Sequence, residues 1–102
     1  MMTKYKAIRT EVDGITFASK KEAMRYKELK FLREQKRISD LVLQPKFPIE
    51  VCGKKICTYI ADFMYYENGN KIIEDVKGVK TSVYRVKKKL TEAIYDITIK
   101  EV

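Results

Sequence analysis

The chain has 102 residues, the length of one domain, because two domains within it would each bury too little apolar surface to be stable. Lysine and arginine outnumber aspartate and glutamate by 22 to 14, and the net charge of +8 favours a polyanionic partner such as nucleic acid. Histidine is absent, which excludes nucleophiles activated by histidine, and no run approaches the roughly 20 apolar residues that span a membrane, so we expect a cytoplasmic protein with no membrane partner.

A single domain is therefore predicted over residues 1–102, and residues 1–17 form an N-terminal extension that contains a hairpin. Asp13-Gly14 lies between the β-favouring segments TEV and ITF, which is typical of a two-residue turn. The basic residues that lead into this hairpin are expected to be mobile.

A first helix is predicted from Ser19 to about Lys36. The segment SKKE matches the capping box, in which Ser19 caps the helix and Glu22 reaches back to the backbone of Ser19. Tyr26, Leu29 and Leu32 recur at helical spacing and should face the core.

Three extended segments follow. LVLQPKFPIEV is expected to be an edge strand or an interrupted strand, because Pro45 and Pro48 cannot donate to a ladder. CGKK forms a turn, and residues 56–66 then read as one strand rich in β-branched and aromatic residues. Asn68-Gly69 turns the chain into the strand KIIEDVKG. Cys52 and Cys57 are the two cysteines and histidine is absent, so no four-ligand zinc site of sulfur and nitrogen donors is expected, and the cysteines are either reduced thiols or a strained disulfide.

A second helix, capped by Thr81 or Ser82, is predicted to run to about Tyr95. Its apolar residues recur at helical spacing, and they are Val83, Val86, Leu90 and Ile94. Residues 97–101 close the chain as a strand. This order of elements predicts an α/β fold with a mixed central sheet flanked by helices.

The chemistry follows from the register that the Asn68-Gly69 turn imposes. Counting outwards from it pairs Met64 with Ile73 and then Asp62 with Asp75, so that two carboxylates face each other. At an effective dielectric near 20, two like charges about 5 Å apart repel by roughly 3 kcal/mol. A divalent cation such as Mg²⁺ would compensate this repulsion, because it takes oxygen ligands and often uses only one or two protein carboxylates.

Strand alternation places Lys77 on the same face as Asp62 and Asp75, whereas Glu74 points to the other face. An ammonium in this position can position or deprotonate an attacking water and stabilise charge that develops on a phosphate. The plainer interpretation is a solvated charge network in which Lys77 neutralises the two acids. Glu22 also has two interpretations, since it lies on the core-facing stripe of the first helix as well as at the capping-box position.

Taken together, these segments resemble the PD-(D/E)XK nuclease superfamily, and in particular a family of small phage-encoded proteins of that type. The segments that carry the resemblance are FASKKEAMRYKEL, LQPKFPI, YIADFMYYENGNKIIEDVKG and YRVKKKL. The resemblance covers nearly the whole chain and implies a restriction-endonuclease-like αβββαβ core.

On this resemblance Asp62 and Asp75 are the two metal-binding acids, Lys77 is the motif lysine, and Glu22 is the acid that many members add from the first helix. Val76 between the second acid and the lysine belongs to the implied metal site. Gln44 in LQP is an implied accessory residue, and its plainer role is that of a polar residue at a strand edge. Two positions depart from the motif: Ala61 replaces proline, and Asp75 is an aspartate where glutamate is common.

Basic residues on and before the second helix are candidates to bind phosphates beside this site, and Tyr84 either stacks on a base or packs on the helix. The predicted nucleic-acid-binding residues are Lys80, Tyr84, Arg85, Lys87, Lys88 and Lys89. The plainer interpretation of this charge run is a solvated helix face.

The sequence thus predicts a Mg²⁺-dependent endonuclease, with Mn²⁺ as the alternative ion, that cuts flapped, branched or junction DNA and acts as a homodimer. One rival is a noncatalytic DNA-binding or replication-accessory module that retains the fold. A second rival is a basic adaptor that binds other proteins and shows no salt-dependent binding of nucleic acid.

Overall fold

The computed structural model describes residues 8–102, in which eight strands and two helices form a mixed α/β fold. The elements, in chain order, are β1 (Thr10–Val12), β2 (Ile15–Phe17), α1 (Lys20–Glu34), β3 (Ser39–Leu43), β4 (Lys46–Val51), β5 (Lys54–Ile60), β6 (Phe63–Glu67), β7 (Asn70–Asp75), α2 (Ser82–Tyr95) and β8 (Ile99–Glu101). Neither helix is long and apolar enough to cross a membrane, as far as residues 8–102 are concerned.

The predicted N-terminal hairpin is confirmed as β1 and β2. These strands pair antiparallel around Asp13 and Gly14, whose φ angles of 55° and 76° suit a two-residue turn. Residues 1–7, which include most of the basic lead-in, lie outside the described residues.

Helix α1 begins where the capping residue predicts, because the Ser19 hydroxyl accepts a hydrogen bond of 3.0 Å from the Glu22 N–H. Tyr26 and Leu29 are buried and Leu32 is partly buried, so the predicted core face is confirmed. The other half of the capping box is not formed: no hydrogen bond from the Ser19 N–H to the Glu22 carboxylate is found in the described part of the chain. The Glu22 side chain turns into the protein instead, with 7% of its surface exposed.

The central sheet has the strand order β3-β6-β7-β8, with β7 and β8 parallel and the other neighbours antiparallel. Phe63 and Tyr65 point from β6 into a core that α1 covers. Ile73 and Ile99 point from the opposite face into a second core, beneath α2 and the β4-β5 hairpin. The prediction of a mixed sheet flanked by helices is therefore confirmed.

The prediction of one strand over residues 56–66 is wrong, because the chain bends at Ala61-Asp62 into two strands of different sheets. The segment that holds β3 and β4 bends beside it, at Gln44-Pro45. There Gln44 adopts a left-handed φ of 52° and Pro45 interrupts the strand. Backbone hydrogen bonds keep the two bends together, from Gln44 N–H to Asp62 O at 2.9 Å and from Ala61 N–H to Pro45 O at 3.1 Å. The interruption that the prolines predicted is confirmed, and it extends to the paired strand.

The β4-β5 hairpin continues beyond this bend and forms its own two-stranded sheet. Its turn consists of Cys52 and Gly53, with φ angles of 53° and 78°. Cys52 is exposed and Cys57 is half-buried, and both are free thiols, so the disulfide alternative is wrong.

Helix α2 has the predicted bounds, and its capping residue is Thr81, whose hydroxyl accepts a hydrogen bond of 3.1 Å from the Tyr84 N–H. Its apolar stripe, however, is not its buried face. Val83, Val86 and Ile94 are exposed, with only Leu90 packed against the core, and the buried residues are Tyr84 and Thr91. The reason is that the Tyr84 ring packs on the ring of Tyr59, which turns this side of the helix towards the core.

Candidate active site

The turn at Asn68-Gly69 sets the predicted register of β6 and β7. Met64 lies opposite Ile73, and the ladder ends with Phe63 opposite Glu74. Asp62 stands one residue beyond this ladder, in the strand bend, where its N–H still donates to the Glu74 carbonyl at 3.1 Å. The expectation that Asp62 and Asp75 form a ladder pair is thus corrected, but the bend still brings their carboxyl groups together.

The carboxyl groups of Asp62 and Asp75 form a pair in which Asp75 is buried and Asp62 is half-buried. One oxygen of Asp62, Oδ2, accepts a hydrogen bond of 2.7 Å from the Val76 N–H. Asp75 ends β7 with 1% of its surface exposed, and its Oδ2 accepts a hydrogen bond from the Tyr59 hydroxyl. Burial, followed by the contact with Asp75, raises the pKa of Asp62 to about 8. This shift favours the protonated form of Asp62 at neutral pH.

Lys77 lies beside this pair, and its positive charge compensates the two carboxyl groups only in part. Its Nζ is 3.6 Å from Asp75 Oδ1 and 4.4 Å from the centre of the Tyr84 ring. The Tyr84 ring packs at 6.4 Å from the ring of Tyr59, and its hydroxyl donates to Glu101 at 2.7 Å. The ammonium is held in place between a carboxylate and an aromatic face.

Glu22 faces the same group of charges from the first turn of α1. Burial raises the pKa of Glu22, and the charge of Asp75 raises it further, whereas Lys77 acts in the opposite direction. The start of the helix is tied to the site by a hydrogen bond of 3.2 Å from Lys21 Nζ to the Lys77 carbonyl. Glu22, Asp62, Asp75 and Lys77 are therefore brought together as the sequence predicted.

The donor atoms of this group suit a hard cation. Asp62 and Asp75 offer carboxylate oxygens side by side. Mg²⁺ often takes only one or two protein carboxylates, and water completes its coordination. Val76 contributes its N–H to Asp62. Within residues 8–102, however, no three Asp, Glu or Cys side chains are arranged so that they could hold one ion together. Glu22 thus belongs to the electrostatic surroundings of the pair and not to a preformed cage of three carboxylates.

Gln44, the predicted accessory residue, lies next to the site in the strand bend. Its N–H donates to the Asp62 carbonyl, and its side chain is exposed. The backbone contact gives Gln44 a clear structural role, and the accessory role of its side chain stays a prediction.

The predicted nucleic-acid-binding residues do not form one surface. Lys80 pairs with Glu101 at 2.9 Å and Lys88 pairs with Glu92 at 3.2 Å. Lys87 lies in a cavity next to Lys77.

At 100° per residue, Arg85 and Lys89 lie about 160° around α2 from Lys87 and are exposed on another side of the helix. Tyr84 is only 8% exposed, so its ring supports Lys77 from within and does not offer a free face to a base. Packing, the plainer of its two interpretations, is correct.

A family model described as "Protein of unknown function (DUF1064)" matches residues 2–101, nearly the whole chain. The chain belongs to the DUF1064 family. A comparison with curated proteins finds no match.

Two groups of this DUF1064 chain were missed by the sequence reasoning. Tyr59 was missed because, in an unbroken strand, it would point away from the face that carries Asp62. The bend at Ala61 reverses that relation and lets Tyr59 reach Asp75. Proline in the paired segment was the signal for such a bend.

The second missed group is a buried ion pair behind the site. Arg25 donates to both carboxylate oxygens of Glu74, at 2.8 and 2.6 Å, and the Tyr65 hydroxyl donates to the same carboxylate. Glu74 is fully buried. Although burial raises its pKa, the hydrogen bonds from Arg25 and Tyr65 lower it below the ordinary value. Glu74 is therefore a fully neutralised structural acid, as its predicted position on the other face of the sheet implied.

Proposed function

We propose that this protein is a Mg²⁺-dependent endonuclease that hydrolyses phosphodiester bonds in DNA. The observation that carries the proposal is the carboxyl pair Asp62 and Asp75 next to Lys77. Burying two acids side by side is unfavourable unless something neutralises them.

The two buried acidic sites of this protein differ in how they are neutralised. Glu74 is compensated by a bidentate guanidinium from Arg25. Within residues 8–102, the ion pair at the site of Asp62 and Asp75 is the one between Lys77 and Asp75, and its two atoms are 3.6 Å apart. Burial, and then the contact with Asp75, raise the pKa of Asp62 to about 8. A shortage of positive charge of this kind supports a site that receives a cation, because a purely structural pair would be expected to be compensated as Glu74 is.

In the proposed reaction, Asp62 and Asp75 would hold the ion through their carboxylate oxygens, and Tyr59 and the Val76 N–H hold these carboxylates in orientation. The chemistry that Mg²⁺ would supply there is Lewis-acid activation of the phosphodiester and of the attacking water. The Lys77 ammonium stabilises the charge that develops on the phosphate and orients the attacking water. Its position over the Tyr84 ring fixes it for this role.

The order of the elements supports the resemblance to the PD-(D/E)XK superfamily. If β3 with β4, and β5 with β6, are each counted as one bent strand, α1 is followed by three strands, α2 and β8. This order is similar to the αβββαβ order that the resemblance implies. On the proposed resemblance, Asp62, Asp75, Lys77 and Glu22 would correspond to the site residues of the superfamily.

A cavity of about 320 Å³ next to Lys77 supports a DNA substrate with an unpaired nucleotide. The exposed apolar side chains of Ile60 and Val83 line it, together with Lys87 and two threonine hydroxyls. Apolar walls suit a base that has left its stack, and the lysines suit its phosphate. This combination favours flapped, branched or junction DNA over an intact duplex. A homodimer would supply two sites for two symmetric cuts, by analogy with the superfamily.

One observation favours the alternative of a noncatalytic DNA-binding module. As they stand, the described side chains do not provide three ligands for one ion. Binding of Mg²⁺ by only two protein carboxylates is common, and for this reason we prefer the nuclease.

The test is cleavage of labelled linear, flapped and four-way-junction DNA with Mg²⁺, Mn²⁺ or EDTA. The variants are Asp75→Asn and Lys77→Met, with Asp96→Asn and Lys20→Met as controls that remove the same charges at exposed positions. Cleavage should require the metal and should fall by at least about 100-fold in the two site variants only. Binding without cleavage by the wild type would favour the noncatalytic module. Cleavage that survives both site substitutions would exclude this site.

A further inference from the structure

A second concave surface lies at the opposite end of α1 from the candidate active site. It has a volume of about 680 Å³ and combines the C-terminal end of α1, the start of β3 and the β6-β7 turn. We call it the basic cleft. The charged and hydroxyl-bearing residues that line it are Arg33, Lys36, Arg37, Ser39, Asp40 and Tyr66.

The three cations of the basic cleft make no ion pair shorter than 4.0 Å within residues 8–102. Arg25, Lys30, Lys77, Lys80 and Lys88 each have a carboxylate within 4.0 Å. Within the described chain, no such contact is found for Arg33, Lys36 or Arg37.

All three of these cations are exposed, and Asp40 is the single acid that lines the cleft with them. The end of a helix carries only about half a negative charge, so the helix dipole does not balance three cations. The cleft therefore keeps an excess of positive charge available to a ligand.

Hydroxyl groups complete the chemistry of the cleft. Tyr66 on β6 lies opposite Ser39 on β3 and opposite Lys71 on β7. Tyr66 is 38% exposed, so its hydroxyl can reach solvent beside the three cations. Guanidinium, ammonium and hydroxyl donors around one concave surface are the groups that bind backbone phosphates of DNA.

We infer that the basic cleft binds the phosphate backbone of a duplex arm that leads away from the candidate active site. This inference rests on the proposed function, since it names the form of the same substrate. Glu22 and Lys36 are 14 positions apart along α1 and its C-terminal end, so the two sites are separated by roughly 20 Å. That span corresponds to about six base pairs. A duplex is favoured over a single strand, because one half-exposed tyrosine does not provide the series of rings on which unpaired bases stack.

The test measures DNA binding without cleavage. Fluorescence anisotropy in EDTA would compare Asp75→Asn with the same protein carrying Arg33→Gln and Arg37→Gln. The matched control carries Lys20→Gln and Lys27→Gln, which removes two charges from exposed positions of the same helix. Two junction DNAs would be used, one with arms of about twelve base pairs and one with arms of about four, chosen to lie on either side of the six-base-pair span.

The cleft variant should bind the long-armed DNA about tenfold more weakly than the control, and the slope of log affinity against log salt should fall by about two. On short-armed DNA the cleft and control variants should bind alike. Equal affinity of these variants for long-armed DNA would overturn the inference, and so would an equal loss on both DNAs. Thermal melting of each variant excludes a folding defect as the cause.

This outcome is distinguishable from failure of the proposed function. If the wild type cleaves DNA but the cleft variant binds long arms like the control, only the cleft inference fails. If the cleft variant loses the long-arm affinity but the wild type never cleaves, the cleft binds DNA and the nuclease proposal fails.

Discussion

Replacing Asp62 with asparagine should make the folded protein more resistant to alkaline pH. The pKa of Asp62 is raised from an ordinary value of 3.8 to about 8. A carboxyl with a raised folded-state pKa holds its proton more tightly in the folded than in the unfolded chain. Its contribution to stability is therefore full below about pH 3.8, falls as the pH rises, and is gone above about pH 8. Asparagine resembles the protonated acid at every pH.

The size of this effect follows from proton linkage. For a folded pKa of about 8, the wild type loses about 3 kcal/mol of unfolding free energy between pH 6 and pH 9. Because Asp62 is partly exposed, solvent screening reduces this to about 1 to 2 kcal/mol. For a chain of this length, this loss should lower the melting temperature of the wild type by roughly 5 to 15 °C between pH 6 and pH 9. Asp62→Asn should lack that component, since its side-chain oxygen can still accept from the Val76 N–H.

The assay is thermal melting in EDTA across pH 6 to 9, with Asp96→Asn as the control because Asp96 is exposed at the end of α2. Titrating groups far from Asp62 and Asp96 are common to the three proteins and cancel in the difference. The Asp62→Asn profile should be flatter than the other two, and excess Mg²⁺ should stabilise the wild type at pH 9 but not Asp62→Asn. Parallel profiles for all three proteins would refute the interpretation of Asp62 and Asp75 as an undercompensated pair.

Two further pairs of variants test the ion pair of Arg25 with Glu74 and the contact of Lys77 with the Tyr84 ring. Arg25→Met should destabilise the fold by about 3 to 5 kcal/mol in urea unfolding at pH 7, because it leaves Glu74 buried without a partner. Glu28→Gln, which removes only the exposed partner of Arg25, should change stability by less than about 1 kcal/mol, and equal losses in these two variants would argue against the role of the buried pair. Tyr84→Phe keeps the ring beneath Lys77 and should retain the proposed cleavage. Tyr84→Leu removes the cation–π contact of about 1 kcal/mol and should lower cleavage about fivefold, and equal activity of the two Tyr84 variants would exclude that contact from positioning Lys77.

The local elements could be predicted from the sequence because each depends on a short signal. Ser19 and Thr81 cap the two helices, and Asn68-Gly69 fixes the register of β6 and β7. The register in turn identified the acidic pair. These features depend on neighbouring residues, so they do not require knowledge of the tertiary structure.

The features that were missed depend on contacts between distant segments. An edge strand or an interrupted strand was predicted from Pro45 and Pro48, but the bend in the hydrogen-bonded partner at Ala61 was not. The contact of Tyr59 with Asp75 was therefore missed. The rotation of α2 was also missed, because apolar spacing predicted burial of a stripe that includes Val83, whereas the aromatic contact of Tyr84 decides which side packs. In both cases tertiary contacts override the local pattern.

The buried pair of Arg25 and Glu74 has a consequence for the evolution of this family. Loss of either partner leaves an unpaired charge in the core, whereas replacement of both by apolar residues of similar volume is often tolerated. These two positions should therefore change together among DUF1064 sequences and rarely one at a time. Since Glu74 precedes Asp75 and Arg25 lies one helical turn after Glu22, the same ion pair ties the helix that carries Glu22 to the strand that carries Asp75.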